Sequence, residues 1–307
     1  MDLKYKKLKY KKIIEFLGRD KVKFNEPLAA YTTFRIGGPA DLFFEAETEE
    51  ELVRTVREVK NVGIPYFILG GGSNVLVGDR GFRGIVIKVQ SSKFKVQSYN
   101  SKVKVYAESG VLMWNLLQKC IENSLTGLEF MAGIPGTIGG AVRGNAGAWQ
   151  QSFSDRVSRV KIFDEQGEVK WLKKEECNFS YRKSRFKEKR EIVLAVQLEM
   201  ETDDKEKVEK KIKEYLRRRA TQPKEPSAGC IFVNPKPFSA GRLIEECGLK
   251  GTRAGRAQIS VKHANFIVNL GQAKAREVVQ LIDLAKKKVK ERFSLDLEEE
   301  IVRIGEF

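Results

Sequence analysis

A single histidine, His263, and four widely spaced cysteines, Cys120, Cys177, Cys230 and Cys247, limit the chemistry open to this chain. One imidazole cannot build an HExxH site, and without a CxxC pair neither a zinc ribbon nor a disulfide framework is expected, so no metal is assigned. Acid–base work then falls to carboxylates, thiols, hydroxyls or amines. The other strong signal is glycine. Gly70-Gly71-Gly72-Ser73-Asn74 lies between two β-like runs, Tyr66-Phe67-Ile68-Leu69 and Val75-Leu76-Val77, which is not the strand–glycine–helix order of a Rossmann turn or P-loop. Successive glycines there can form a concave nest of N–H groups that accepts diphosphate oxygens, or can turn a hairpin through their positive φ angles. The second tract, Gly133-Ile134-Pro135-Gly136-Thr137-Ile138-Gly139-Gly140, continues into Gly144-Asn145-Ala146-Gly147. Such bulk-free backbone packs on other backbone or on a flat ligand. Two tracts of this kind point to a long cofactor with a diphosphate and a planar ring.

The elements that must carry these residues mix helix and strand. Thr48-Glu49-Glu50-Glu51 has the form of a capping box, and Leu52, Val56 and Val59 follow at helical spacing until Gly63 and Pro65. A helix near 111–123 and strands around 157–163, 168–172 and 191–199 are expected next. Residues 203–219 start acidic and end Arg217-Arg218-Arg219, as suits a helix dipole. The Pro-containing stretch after them makes 200–226 the candidate boundary. A helix over 273–292 follows, and 295–304 alternates as a strand.

The 307 residues carry a formal charge of +16, which invites a nucleic-acid reading. Residues 1–23, however, hold nine basic and three acidic side chains, a concentration that suits a solvated helix or arm. The remaining excess suits nucleotides and diphosphates as well as RNA. Charged residues reach 32%, against about 25% on average, a Lys and Glu bias shared with heat-adapted proteins. Apolar runs fall short of a membrane span, and the Lys-rich start lacks the features of a signal peptide, so a cytoplasmic protein without membrane partners is expected.

The segments Tyr31-Thr32-Thr33-Phe34-Arg35-Ile36-Gly37-Gly38, GGGSN, GIPGTIGGAV with NAGA, Tyr181-Arg182-Lys183-Ser184-Arg185-Phe186-Lys187, PSAGCIFVNP over 226–235, Ala240-Gly241-Arg242-Leu243-Ile244-Glu245 and KHANFIVN over 262–269 occur in one order. Together they resemble the UDP-N-acetylenolpyruvoylglucosamine reductase (MurB) family from about residue 25 to the C-terminus. The resemblance implies an α+β fold: a two-part FAD-binding unit of the vanillyl-alcohol-oxidase (PCMH) type plus a smaller α+β substrate-binding domain. It divides the chain into a basic arm or helix over 1–24, an FAD-binding domain over 25–200 with lobes at about 25–92 and 93–200, a substrate domain over 201–295, and a C-terminal strand, 296–307, returning to the FAD and active-site region. FAD would be the cofactor, with Gly70, Gly71, Gly72, Ser73, Asn74, Gly133, Ile134, Pro135, Gly139 and Gly140 binding it. NADPH would be the co-substrate and UDP-N-acetylglucosamine enolpyruvate the acceptor.

Hydride addition beside a carboxylate builds an enolate-like dianion, so such a site needs a cation and an acid near that carboxylate and a proton donor near the α-carbon. The resemblance assigns these roles to Arg182, Glu300 and Cys230 respectively. Cys230 departs from the family, which usually carries serine there; a thiol is the stronger acid. Glu300 is set among Glu298, Glu299 and Glu300, and its spacing to Ile304-Gly305 selects it. Tyr181, Asn234 and His263 fall where the family contacts the UDP-sugar. The stretch from Tyr181 to Cys230 is too short for the extra tyrosine-bearing loop of one family branch, so the chain resembles the other. A monomer that binds no nucleic acid is expected; a different FAD-dependent oxidoreductase of the superfamily and a basic nucleic-acid-binding protein are the alternatives.

Overall fold

The computed structural model describes residues 3–99 and 102–307, with the side chains of residues 3–6, 98, 99 and 102 left aside, so part of the basic N-terminal segment lies outside the described residues. The chain forms two compact units: Met1–Val22, Phe44–Gly71 and Ile87–Arg219 in one, and Lys23–Phe43, Gly72–Val86 and Ala220–Phe307 in the other.

The first unit is built on an antiparallel sheet of order Val169–Lys173, Val157–Phe163, Ile192–Thr202, Lys102–Glu108, Phe94–Tyr99, with Leu125–Thr126 also pairing with Ile192–Thr202. The central strand, Ile192–Thr202, buries most of its residues from Ile192 to Met200, as its apolar run requires. Helices Met113–Glu122, Ile138–Gly144 and Lys205–Arg219 contribute their apolar faces to the same core, among them Leu116, Val142, Val208 and Ile212. Val208 and Ile212 are buried there, so helix Lys205–Arg219 stays with the first unit and the last change of unit falls between Arg219 and Ala220, inside the 200–226 stretch.

Helix Glu49–Val62 forms as its sequence dictates. The Thr48 side chain accepts the Glu51 N–H, Leu52, Val56 and Val59 are buried, and Gly63 ends the helix at φ 69°. Glu51 returns its carboxylate to the N–H of Glu47, one residue outside a strict capping box. The basic N-terminal segment is a helix, Leu3–Leu17, that buries Ile13 and Leu17. Its Lys9 Nζ donates to the carbonyl of Gly63 at the neighbouring helix end, at 3.0 Å. Part of the basic charge therefore completes a helix terminus.

The second unit gathers Phe34, Ile36 and Leu76 with Ile231, Phe232, Ile244 and the buried stripe Val278, Ile282, Ala285, Val289 of helix Ala275–Phe293. That helix starts on Asp79, whose carboxylate accepts the N–H groups of Ala275 and Arg276 at 2.7 and 3.1 Å. A three-stranded sheet, Arg253–Ala254, Ala257–Ile259, Ile267–Asn269, packs in the same unit. The C-terminal strand is shorter than its alternation suggests. Only Val302–Ile304 is regular, pairing in parallel with Val75–Val77; Leu297 and Ile301 keep the alternation and are buried, but among the described residues the segment before Val302 joins other backbone only through a single bridge from Glu299 to Phe232. Among the described residues no helix is long and apolar enough to cross a membrane, and no cluster of three His, Cys, Asp or Glu could hold a metal.

Candidate active site

In the first unit the two glycine tracts meet backbone to backbone. A Cβ added at Gly70 would sit 2.6 Å from Thr137 Oγ1, and one at Gly71 would sit 2.6 Å from Gly136 Cα. A side chain at Gly139 would strike Ser109, whose carbonyl accepts the Gly139 N–H at 2.9 Å. Ser109 Oγ and Thr137 Oγ1 are buried in this cradle with no hydrogen-bond partner among the described residues. Two unsatisfied hydroxyls beside bare glycine backbone fit the oxygens of a diphosphate. Lys88 Nζ donates to the Gly70 carbonyl at 3.2 Å, and burial pushes its ammonium below the ordinary lysine value. An added anion would favour its charged form.

The GGGSN loop is nonetheless divided between the units. Gly70 and Gly71 belong to the first, Gly72, Ser73 and Asn74 to the second. Gly72, at φ 61°, lies against the Tyr31 carbonyl, and Asn74 Nδ2 donates to the Glu300 carbonyl at 3.0 Å. The flanking strands do not form a hairpin: Tyr66–Leu69 pairs with Phe82–Val89, and Val75–Val77 with Val302–Ile304. Gly133 has a packing reason of its own. A Cβ there would meet Arg219 Cδ at 2.8 Å, and Arg219 Nε donates to the Ala132 carbonyl at 2.7 Å. Ile134 packs against the core of the unit, Pro135 continues the turn, and Gly140 has room around it.

Tyr181 and Arg182 form the tip of a two-residue turn, also in the first unit. Ser180 and Lys183 exchange backbone hydrogen bonds at 3.1 Å each, and Arg182 adopts φ 57°. Tyr181 is exposed and Arg182 half-buried.

Cys230, Asn234, His263 and Glu300 all lie in the second unit. Gly229, at φ 76°, turns the chain into Cys230, which bridges to Phe266; one residue on, the Ile231 carbonyl accepts the Glu300 N–H at 2.7 Å. The buried Asn265 side chain pins this segment, taking the Phe232 N–H at 2.9 Å and donating to the Phe232 carbonyl at 2.8 Å. Asn234 Oδ1 accepts the Ala240 N–H at 2.9 Å and so holds the start of helix Ala240–Glu246. His263 packs edge-on against Phe266. Burial lowers its pKa, and its Nδ1 accepts the Asn265 N–H at 3.2 Å, which leaves the ring proton on Nε2 as a donor.

Two of the three adjacent glutamates have distinct surroundings. Glu298 is exposed, while Glu299 takes both nitrogens of a fork from Arg303, at 2.7 Å each, and Lys286 as well. Burial alone would raise the Glu299 carboxyl, but these cations outweigh it and hold it below its ordinary value. Its stabilising effect is present above the unfolded carboxylate range and is lost as pH falls through the lowered value. Glu299→Gln should therefore cost about 1–3 kcal/mol at pH 7 with little effect on turnover per folded enzyme. Glu300→Gln should slow turnover about tenfold or more. Thermal melts and rates on both variants check the pair; the reverse pattern would move the acid role to Glu299.

Sequence reasoning did not single out Ser109, Thr137, Lys88, Asn145 or Asn265. Lys88 alone left a signal, as the one charge within Ile85-Val86-Ile87-Lys88-Val89. The others draw their roles from partners distant in the chain.

Comparison with known proteins matches residues 40–173 to a family described as FAD binding domain, and residues 222–304 to one described as UDP-N-acetylenolpyruvoylglucosamine reductase, C-terminal domain. A UDP-N-acetylenolpyruvoylglucosamine reductase of Carboxydothermus hydrogenoformans is 42% identical, over 92% of this chain and 93% of that protein. Its counterpart in Syntrophomonas wolfei is 40% identical over 97% of this chain and 99% of that protein. The crystal structure of UDP-N-acetylenolpyruvylglucosamine reductase from Thermus caldophilus matches with a TM-score of 0.78 and 38% identity, covering 92% of this chain and 98% of that one.

Proposed function

Because this chain belongs to the UDP-N-acetylenolpyruvoylglucosamine reductase family, we propose that it reduces UDP-N-acetylglucosamine enolpyruvate to UDP-N-acetylmuramate with NADPH, with Arg182, Cys230 and Glu300 as its reacting side chains. It is an FAD-dependent oxidoreductase of peptidoglycan precursor synthesis. The observation that carries the reading is that an FAD-binding match and a reductase-specific C-terminal match divide one chain that aligns with its relatives almost end to end. A basic nucleic-acid binder would need neither. We place it as a monomer in the cytoplasm.

The chemistry that FAD supplies when bound is hydride relay from NADPH to the enolpyruvyl β-carbon. Gly70, Gly71, Gly136 and Gly139 would admit its diphosphate against backbone, with the Ser109 and Thr137 hydroxyls donating to it. The other expected contacts are Gly133, Ile134, Pro135 and Gly140 in the first unit and Gly72, Ser73 and Asn74 in the second. Arg182 binds the substrate carboxylate and stabilises the charge that grows on it; a guanidinium fork suits that geometry. Cys230 Sγ–H gives its proton to the α-carbon, which completes the lactyl ether, and Glu300 assists as a proton-sharing acid beside the carboxylate. Tyr181, Asn234 and the His263 Nε2–H serve the UDP-sugar.

Anaerobic stopped-flow absorbance tests the whole reading. NADPH should bleach the flavin, and the enolpyruvyl nucleotide should restore the yellow colour. Bleaching without recovery would remove the acceptor from the proposal; absence of flavin after FAD addition would remove all of it. Gly71→Ala probes the cradle separately, since its Cβ would press on Gly136 backbone. That variant should fold and purify with less than about a tenth of wild-type flavin. Full occupancy would place the diphosphate elsewhere.

A further inference from the structure

We propose that Asn145, supported by Ser184, is a positioning residue that fixes the Arg182 turn relative to the glycine cradle. The inference rests on the reading that Arg182 binds the substrate carboxylate. Asn145 is 3% exposed and follows helix Ile138–Gly144 as its C-cap, at φ 41°. Its Nδ2 donates to the Ser180 carbonyl at 2.8 Å, and its Oδ1 accepts the Ser154 N–H at 3.1 Å. On the other side of the turn Ser184 Oγ, in a residue 2% exposed, donates to the Arg143 carbonyl at 2.6 Å. Both ends of the Ser180–Ser184 turn are thus tied to the last residues of one short helix, whose first turn carries Gly139 and Gly140.

The consequence is a rigid ruler. The helix that begins in the cradle ends in the two groups that hold the arginine, so hydride source and carboxylate clamp share one scaffold. The turn needs that support, because Arg182 sits at φ 57°, a conformation bulky residues adopt only when their surroundings impose it. The Ser180 carbonyl accepts both the Lys183 N–H and Asn145 Nδ2. Loss of the second bond would leave this end of the turn without its tie to the helix end, with Ser184 still holding the other. Position 145 demands left-handed backbone, a donor and an acceptor at once. Asparagine meets all three, aspartate lacks the donor and glycine lacks both polar groups.

The test uses flavin-loaded full-length protein and anaerobic stopped flow. Asn145→Asp and Ser184→Ala should keep flavin content and the rate of reduction by NADPH within about twofold. Each should slow reoxidation by the enolpyruvyl nucleotide about tenfold, and Ser184→Thr should restore it. On an Arg182→Gln background Asn145→Asp should add nothing, since the group it positions is gone. Wild-type reoxidation in both single variants, with Arg182→Gln slow, overturns this proposal alone. Wild-type reoxidation in Arg182→Gln overturns the parent reading and this one with it. Parallel loss of both half-reactions, or of flavin, would make Asn145 a structural residue and also overturn the proposal; if Asn145→Asp does not fold, Ser184→Ala decides.

Discussion

Cys230→Ala should leave flavin reduction by NADPH at the wild-type rate while slowing reoxidation by UDP-N-acetylglucosamine enolpyruvate about 10²–10⁴-fold, the range a positioned general acid contributes. The motive is the placement of Cys230, after the turn at Gly229 and one residue before the backbone bond to Glu300. Cys230→Ser should stay within about tenfold of wild type, because a hydroxyl can occupy the same position and give the same proton. Alkylation supplies a second check. Burial pushes Cys120 and Cys177 up to about 12, so a mild reagent at neutral pH should leave them intact; Cys230 and Cys247 are the less buried thiols, and Cys247 is itself raised by burial, so Cys230 should react first. Equal loss of both half-reactions in Cys230→Ala would reduce the residue to a packing role.

Where local chemistry decides, the sequence was informative. Helix Glu49–Val62 announces itself through Thr48, its apolar stripe and Gly63, all within one segment. The strand Ile192–Thr202 is equally plain, an apolar run too long to be anything but interior. The C-terminal segment misled because its alternation continues through Leu297 and Ile301, whose burial is set by the helix Ala275–Phe293 core and not by a sheet. The glycine tracts declared a cradle by composition alone. Their division did not show, because Gly71 and Gly72 are sequence neighbours and only the fold gathers them into different units.

The site divides in the same way. Arg182, Cys230 and Glu300 were reached only through a family resemblance; apart from the spacing of Glu300 to Ile304-Gly305, nothing local distinguishes them from neighbours of like charge or size. The structure shows Glu299 held by Arg303 and Lys286, which no linear pattern could announce. Asn145, Ser109 and Thr137 stayed silent for a related reason. Each is a common residue type in a glycine-rich stretch, and its meaning lies in a partner brought up by the fold: Ser180 for the first, Gly139 and Gly70 for the others. Gly133 is the converse case. It reads as a ligand contact, yet the side chain that excludes a Cβ there is Arg219.

Arg182→Gln should slow flavin reoxidation by the enolpyruvyl substrate about 10²–10³-fold, as loss of a donor aimed at developing charge does elsewhere. The larger part should appear in kcat, because the carboxylate gains charge as hydride arrives and the arginine binds that state more strongly than the ground state. Arg182→Lys keeps the charge but loses the planar fork, so it should fall between the two. Stability gives the independent reading. The backbone at 182 lies at φ 57°, which glycine adopts without strain. Arg182→Gly should therefore melt within a few degrees of wild type, a change of about 1 kcal/mol or less, while reoxidising as slowly as the glutamine variant. A rise in KM alone, with kcat unchanged in all three variants, would make Arg182 a uniform binding contact and move charge stabilisation to another group.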